Sequence, residues 1–150
     1  MLNENYWISI VGKQSYDDDV GEIKVDTVGS YTKKNGARFI SYKEYDEDNP
    51  AIAHTAVLKI EDNKMVTMMK GGTLTRLILE KGQRHNCLYD TGAGHLNMGV
   101  FTSELKNELT DGGGKLRVNY TLDVNSTLSS QNELCIEVTA YNENMGKELS

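Results

Sequence analysis

The chain has 150 residues, 38% hydrophobic and 25% charged, with a formal net charge of −6, enough for one domain spanning 1–150 with a sizeable core. The acidic balance disfavours nucleic acid as main partner, because a polyanion rewards the Lys and Arg that replace its counterions. No apolar run approaches the ~20 residues of a membrane helix.

The chain opens with "MLNENYWISI", which lacks a basic stretch followed by an apolar core, so the expected compartment is the cytoplasm. Two cysteines, Cys87 and Cys135, are expected there as reduced thiols. In chain order, "YWISIVG" places Ile8 and Ile10 on one face. "KQSYDDDVGE" reads as a connection, with Asp17, Asp18 and Asp19 lacking the alternation of a calcium loop. "GEIKVDTVG" aligns Ile23, Val25 and Thr27. "ARFISYKEY" aligns Ile40, Tyr42 and Glu44, and after the connection "YDEDNPAIA" the run "TAVLKIE" aligns Ala56, Leu58 and Ile60. "KMVTMMK" and "LTRLILE" are too evenly apolar to assign a face. "GHLNMGVFT" aligns Leu96, Met98 and Val100, and the following "ELKNEL" reads as the continuation of that strand rather than a helical turn. "KLRVNYTLDV" is the most regular run, with Leu116, Val118, Tyr120, Leu122 and Val124 on one side and charged or polar residues on the other. "ELCIEVTAY" repeats it with Leu134, Ile136 and Val138.

Period two throughout means strands with one dry and one wet face. The connections carry turn residues: Lys34-Asn35-Gly36, Glu61-Asp62-Asn63, Gly71-Gly72, Lys81-Gly82, Asp111 to Gly114, and Ser129 to Asn132. About ten short strands in meander order follow. Closing them into an up-and-down barrel would remove exposed edges. The stretch "YDTGAGHLNMG" tests the rival reading of a phosphate loop. Such a loop needs a helix after its glycines, and the residues after Gly94 alternate instead. Gly112-Gly113-Gly114-Lys115 likewise precedes a strand and lacks the Lys-Ser/Thr ending. Asp90 to Gly94 therefore reads as a hairpin connection.

The spaced series Glu80, Gly82, Tyr89, Thr91, Gly94, Leu96, Met98, Val100 and Thr102, continued by Gly114, Leu116, Tyr120, Leu122, Asn125, Asn132, Leu134, Ile136 and Val138, resembles the YwiB-like bacterial family of unknown function. Gly36, Ile40, Tyr42 and Glu44 fit it more loosely. The chain has Gly92 and Ala93 where that family tends to have a proline and an aromatic. The resemblance implies an all-β fold, a calycin-like (lipocalin-like) antiparallel up-and-down barrel of about eight to ten strands. It implies no activity.

Candidates for chemistry are few. His54, His85 and His95 have no metal spacing, no G-x-S-x-G elbow exists, and nothing calls for a cofactor. Met65, Met68 and Met69 form a soft patch, either core filling or the wall of an apolar pocket. Tyr42, Glu44, Tyr89 and Tyr120 are polar and inward by parity, and Arg76 joins them if its strand turns that way. A buried Glu requires a partner or a shifted pKa. The leading expectation is a barrel that binds a small, partly apolar molecule through Tyr42, Glu44, Met68, Arg76, Tyr89, Met98 and Tyr120. The alternatives are an enzyme using Tyr42, Glu44 and Arg76 on a carboxylate or phenolic substrate, and a protein or RNA interaction module using the basic cluster Lys70, Arg76, Lys81 and Arg84.

Overall fold

Alternation of apolar and polar residues carries the chain through ten strands. The computed structural model describes residues 6–45, 48–49, 51, 53–70, 75–90, 94–124 and 127–141; of Thr75, Leu88, Tyr89, Asp90, His95, Leu96, Leu128 and Ser129 only the backbone is described. The strands are β1 (Tyr6–Tyr16), β2 (Asp19–Lys34), β3 (Ala37–Tyr45), β4 (Ala53–Glu61), β5 (Met65–Lys70), β6 (Thr75–Glu80), β7 (Arg84–Asp90), β8 (His95–Asn107), β9 (Gly114–Val124) and β10 (Thr127–Ala140). They form one sheet in the order β6-β5-β4-β3-β2-β1-β10-β9-β8-β7, and every pairing is antiparallel. All neighbours are consecutive in sequence except β1 and β10. The sheet curls into a nearly closed up-and-down barrel whose seam lies between β6 and β7. At the base of the seam the Gly82 N–H donates to the Thr102 carbonyl at 2.8 Å, and Lys81 forms an isolated bridge with Thr102.

One face of the sheet supplies the core. Ile8, Ile40, Leu58, Ile60, Val66, Leu79, Val100, Leu116, Val118, Ile136 and Val138 are almost fully buried. Burying each such side chain contributes about 1.5–3 kcal/mol relative to exposure. The register keeps them in rows across the sheet: Val138 faces Ile8 and Ile136 faces Ile10, while Ile40 faces Leu58. Gly29 lies in this packing between Tyr6 and Tyr42. A Cβ there would run into Ile8 Cδ1 and the Ser41 carbonyl oxygen, so only glycine lets β2 approach so closely.

One end of the barrel is tied shut. The Tyr31 hydroxyl donates to the Thr110 carbonyl at 2.6 Å, and Arg38 pairs with Asp111 at 3.0 Å while lying over the Tyr31 ring. Asn107 reaches across to the β4–β5 turn, its Nδ2 donating to the Asp62 carbonyl and its backbone N–H to Asn63 Oδ1, each at 2.8 Å. The turn before β3 uses positive φ at Asn35 (54°) and Gly36 (82°), which suits a tight hairpin.

Two connections expected from sequence are strand instead. "KQSYDDDVGE" is a long hairpin that turns at Asp17 and Asp18, with Tyr16 opposite Asp19. Its polar composition is explained by exposure: the tip projects, leaving Tyr16, Val20 and Ile23 exposed. The polar run Ser129 to Asn132 lies inside β10, where a register shift between Leu128 and Ser130 accommodates it. β8 runs unbroken through "ELKNEL", as the alternation there implies. The Gly71-Gly72 turn and the middle of the Asp90–Gly94 connection lie outside the described residues.

Candidate functional site

Alternation turns Tyr42 and Glu44 of β3 to the same inward face. Tyr42 is buried, and its hydroxyl donates to Glu44 Oε1 at 3.2 Å. Burial, and then the neighbouring carboxylate, push the Tyr42 hydroxyl well above the ordinary tyrosine pKa. Lys70, at the end of β5, closes on the same Glu44 oxygen at 3.4 Å. The half-buried carboxylate is thus matched by a cation and a hydroxyl, which satisfies its need for partners within the protein.

Tyr120 of β9 lies elsewhere, separated from β3 by β10, β1 and β2. It heads a row across the inward face: Thr102 and Asn132 flank Tyr120, Asn132 faces Gln14, and Gln14 faces Gly21. Beside this row is a cleft of about 290 Å³ whose inward-facing lining is Gly12, Gln14, Gly21, Ile23, Tyr120 and Asn132. A Cβ at Gly12 or Gly21 would meet nothing within 4 Å, and the cleft opens to solvent past Gln14, Gly21 and Ile23, which are exposed. Lys13, Glu22 and Glu133 also border the cleft, from alternate positions whose side chains belong to the outer face. Gln14 Nε2 and Asn132 Nδ2 both donate to the hydroxyl of buried Ser130, at 3.2 and 3.0 Å. The two amide side chains are thereby held in place. Burial raises the Tyr120 pKa, with no hydrogen bond contributing. Among the described residues none hydrogen-bonds its hydroxyl. Thr102 Oγ1, fully buried in the adjacent strand, is also without a partner.

The remaining expected residues scatter. Met68 faces inward between Leu58 and Leu77 and packs against the core. Met98 faces inward between Cys87 and Val124. Neither lines the cleft. The side chain of Tyr89 lies outside those described. Arg76 does not face inward. It is exposed and opposite Met69, because burial of Leu79, with Leu77 packed on the core, fixes the parity of a strand too uniformly apolar to read. The methionine patch is split by the same alternation, with Met69 exposed outside. Tyr42, Glu44 and Arg76 therefore do not form one site. Of the basic residues, Lys70 is paired with Glu44, Arg84 lies across Gly99 to reach Asp123 at 2.7 Å, and Arg76 and Lys81 are exposed. His85 hydrogen-bonds Glu80 across the seam at 2.8 Å, and both cysteines are free.

Gln14, Gly12, Gly21 and Asn132 were not legible as site residues. Gln14 and Gly21 sit in the segment taken for a connection, and Asn132 in an apparent turn. Extending the alternation from Ile8 and Ile10 to Gly12 and Gln14, and from Ile136 and Leu134 to Asn132, would have found them. Two of the larger depressions, of about 410 and 500 Å³, lie chiefly on the outer face of β8, β9, β10 and β1, and Tyr120 and Asn132 border the second as well. Their walls mix Lys106, Glu108 and Arg117 in one and Lys13 and Glu133 in the other, so neither offers a field of one sign.

The architecture is shared with a solved protein. The crystal structure of ywiB protein from Bacillus subtilis superimposes with a TM-score of 0.74 over 94% of this chain and 96% of that one, at 16% identity. That identity supports the fold alone. No curated protein matches. Residues 8–136 match a family described as Domain of unknown function (DUF1934), a span that takes in β2 to β9 whole and most of β1 and β10, and the chain belongs to that family.

Proposed function

We propose that the protein binds a small, partly apolar molecule in the cleft beside Tyr120. The observation that carries this reading is a half-buried tyrosine whose hydroxyl has no partner among the described residues, in the lining of a cleft that also takes in two glycines. Buried polar groups ordinarily find partners, and a site that fixes a ligand combines apolar wall with a few placed polar groups. Gln14 and Asn132, pre-positioned by Ser130, supply the further polar groups. The Tyr120 ring and Ile23 supply the apolar wall. Tyr42 and Glu44 serve instead as a structural network with Lys70. The test is a fragment screen by amide-resolved NMR. Fragments that bind are expected to shift Gly12, Gln14, Gly21, Ile23, Tyr120 and Asn132 as one cluster. Gly21→Leu, whose Cβ would meet nothing within 4 Å, is expected to abolish those shifts while leaving the rest of the spectrum in place. Hits that consistently shift the outer face of β8–β10 instead would reject the reading.

A further inference from the structure

β2 is paired along one edge and only partly along the other. Against β1 the pairing runs from Asp19 to Gly29, but against β3 only from Gly29 to Lys34. Among the described residues no strand pairs with the second edge of Asp19–Val28. The closing residues of a two-residue hairpin exchange both backbone bonds, and here these are Tyr16 with Asp19 and Lys34 with Ala37. The odd-numbered residues of β2 therefore bond towards β1 and the even-numbered ones towards β3. Between Asp19 and Val28 the backbone N–H and C=O of Val20, Glu22, Lys24, Asp26 and Val28 point along an edge with no neighbour. Asp19 to Lys24 and Asp26 are exposed, and Ile23 is 72% exposed. A long free edge is a template for another chain, and edges are commonly guarded by charges that repel one. The charges on this edge alternate in sign instead, Glu22, Lys24, Asp26. Among the described residues Glu22 has no ion-pair partner, and Lys24 holds only a 4.0 Å contact with Asp26.

We propose that this edge receives a second copy of the chain, β2 adding antiparallel to β2 along residues 19–27 about a two-fold axis at Ile23. Strand addition of this kind joins the main chains by ladder bonds, and a two-fold contact is reciprocal, each residue i meeting j while j meets i. With the axis at Ile23, the even-numbered residues of the two copies exchange backbone bonds. Glu22 then faces Lys24 of the second copy twice over. Gly21 faces Val25, Val20 faces Asp26, and the exposed Ile23 side chain packs on its own copy. Other registers are worse. An axis at Glu22 or at Lys24 sets like charges against each other, which is destabilising across a sheet. An axis at Val25 drives Val20 onto Ser30, which already pairs with Ser41 of β3. Only the axis at Ile23 joins opposite charges while keeping every pair on the free edge and clear of the Asp17–Asp18 turn. Dimerisation through this edge does not depend on a ligand in the cleft, although Gly21, Glu22 and Ile23 border both.

Sedimentation velocity on the full chain, from about 1 µM to about 1 mM, is expected to show a monomer–dimer equilibrium. Lys24→Glu sets Glu22 against a carboxylate at both symmetric positions and should weaken the dimer roughly tenfold or more. Adding Glu22→Lys to that variant restores opposite charges and should restore the dimer, which a variant that had merely lost its fold would not do. Ile23→Cys should give a disulfide-linked dimer under mild oxidation, because paired Cβ atoms on the axis lie within disulfide reach. The wild type, whose Cys87 and Cys135 are free, should not. A chain that stays monomeric throughout the range overturns the proposal. So does a dimer that Lys24→Glu leaves intact and Ile23→Cys fails to link, because its contact then lies on another surface.

Discussion

Tyr42 shows what a single buried hydroxyl costs and contributes. Its hydrogen bond to Glu44 contributes on the order of 1 kcal/mol at neutral pH. Because tyrosine is neutral when protonated, a pKa raised in the folded state means the folded chain holds a proton that the unfolded chain gives up. The contribution is therefore complete below the ordinary value of 10.0 and declines as pH rises from there through the folded-state value. Tyr120, raised by burial, adds to the same slope. Urea midpoints measured from about pH 8 to about pH 11 should fall for the wild type. The Tyr42→Phe variant should start about 1 kcal/mol lower at pH 8 and fall less steeply above the ordinary tyrosine value; an identical slope would contradict the burial argument. Tyr120→Phe removes a hydroxyl with no protein partner among the described residues, so its midpoint at pH 8 should stay within about 0.5 kcal/mol of the wild type.

At the scale of elements, the fold depends on close strand approach in one place and tolerates a gap in another. Gly29→Ala places a methyl against the Ser41 carbonyl, a backbone atom that cannot swing away, and should destabilise by about 1–3 kcal/mol in chemical denaturation. The seam is bridged by the His85–Glu80 contact and the base-of-seam bonds of Gly82. His85→Ala should cost only about 0.5–1 kcal/mol, since the pair is partly solvated. Amide exchange in β6 and β7 should nevertheless quicken relative to β1 and β10, and uniform exchange across the sheet would argue that the seam is not the weak edge. The strands that carry regular alternation, β9 and β3, were legible from sequence with their inward residues. β5 and β6 were not, because an apolar run on both faces carries no phase; that is why Arg76 was misplaced. The β1–β2 hairpin was hidden for the opposite reason. Its projecting end is solvated on both faces, so "KQSYDDDVGE" has no apolar period although it pairs fully. The candidate site fell largely in that blind region. Tyr120, on the regular strand, was visible, whereas Gln14, Gly12 and Gly21 were not.

For the molecule as a whole, the division of labour is by end and by face. One end is tied by Tyr31, Arg38, Asp111 and Asn107. The middle is filled with aliphatic side chains. The uncharged row from Thr102 to Gly21 crosses β8, β9, β10, β1 and β2, so it exists only because the first and last strands pair. The barrel is thus a packed scaffold with a cleft at one margin, rather than a hollow vessel along its described core. The central claim is that the Tyr120 hydroxyl serves a ligand and not the fold. It is tested most directly by the affinity of Tyr120→Phe for a fragment that shifts the cleft cluster in the wild type, read from the shifts of Gln14, Gly21 and Asn132. Loss of one hydrogen bond to the ligand, about 1 kcal/mol, predicts a several-fold weaker affinity with the remaining spectrum unchanged; wild-type affinity in the variant would contradict the account.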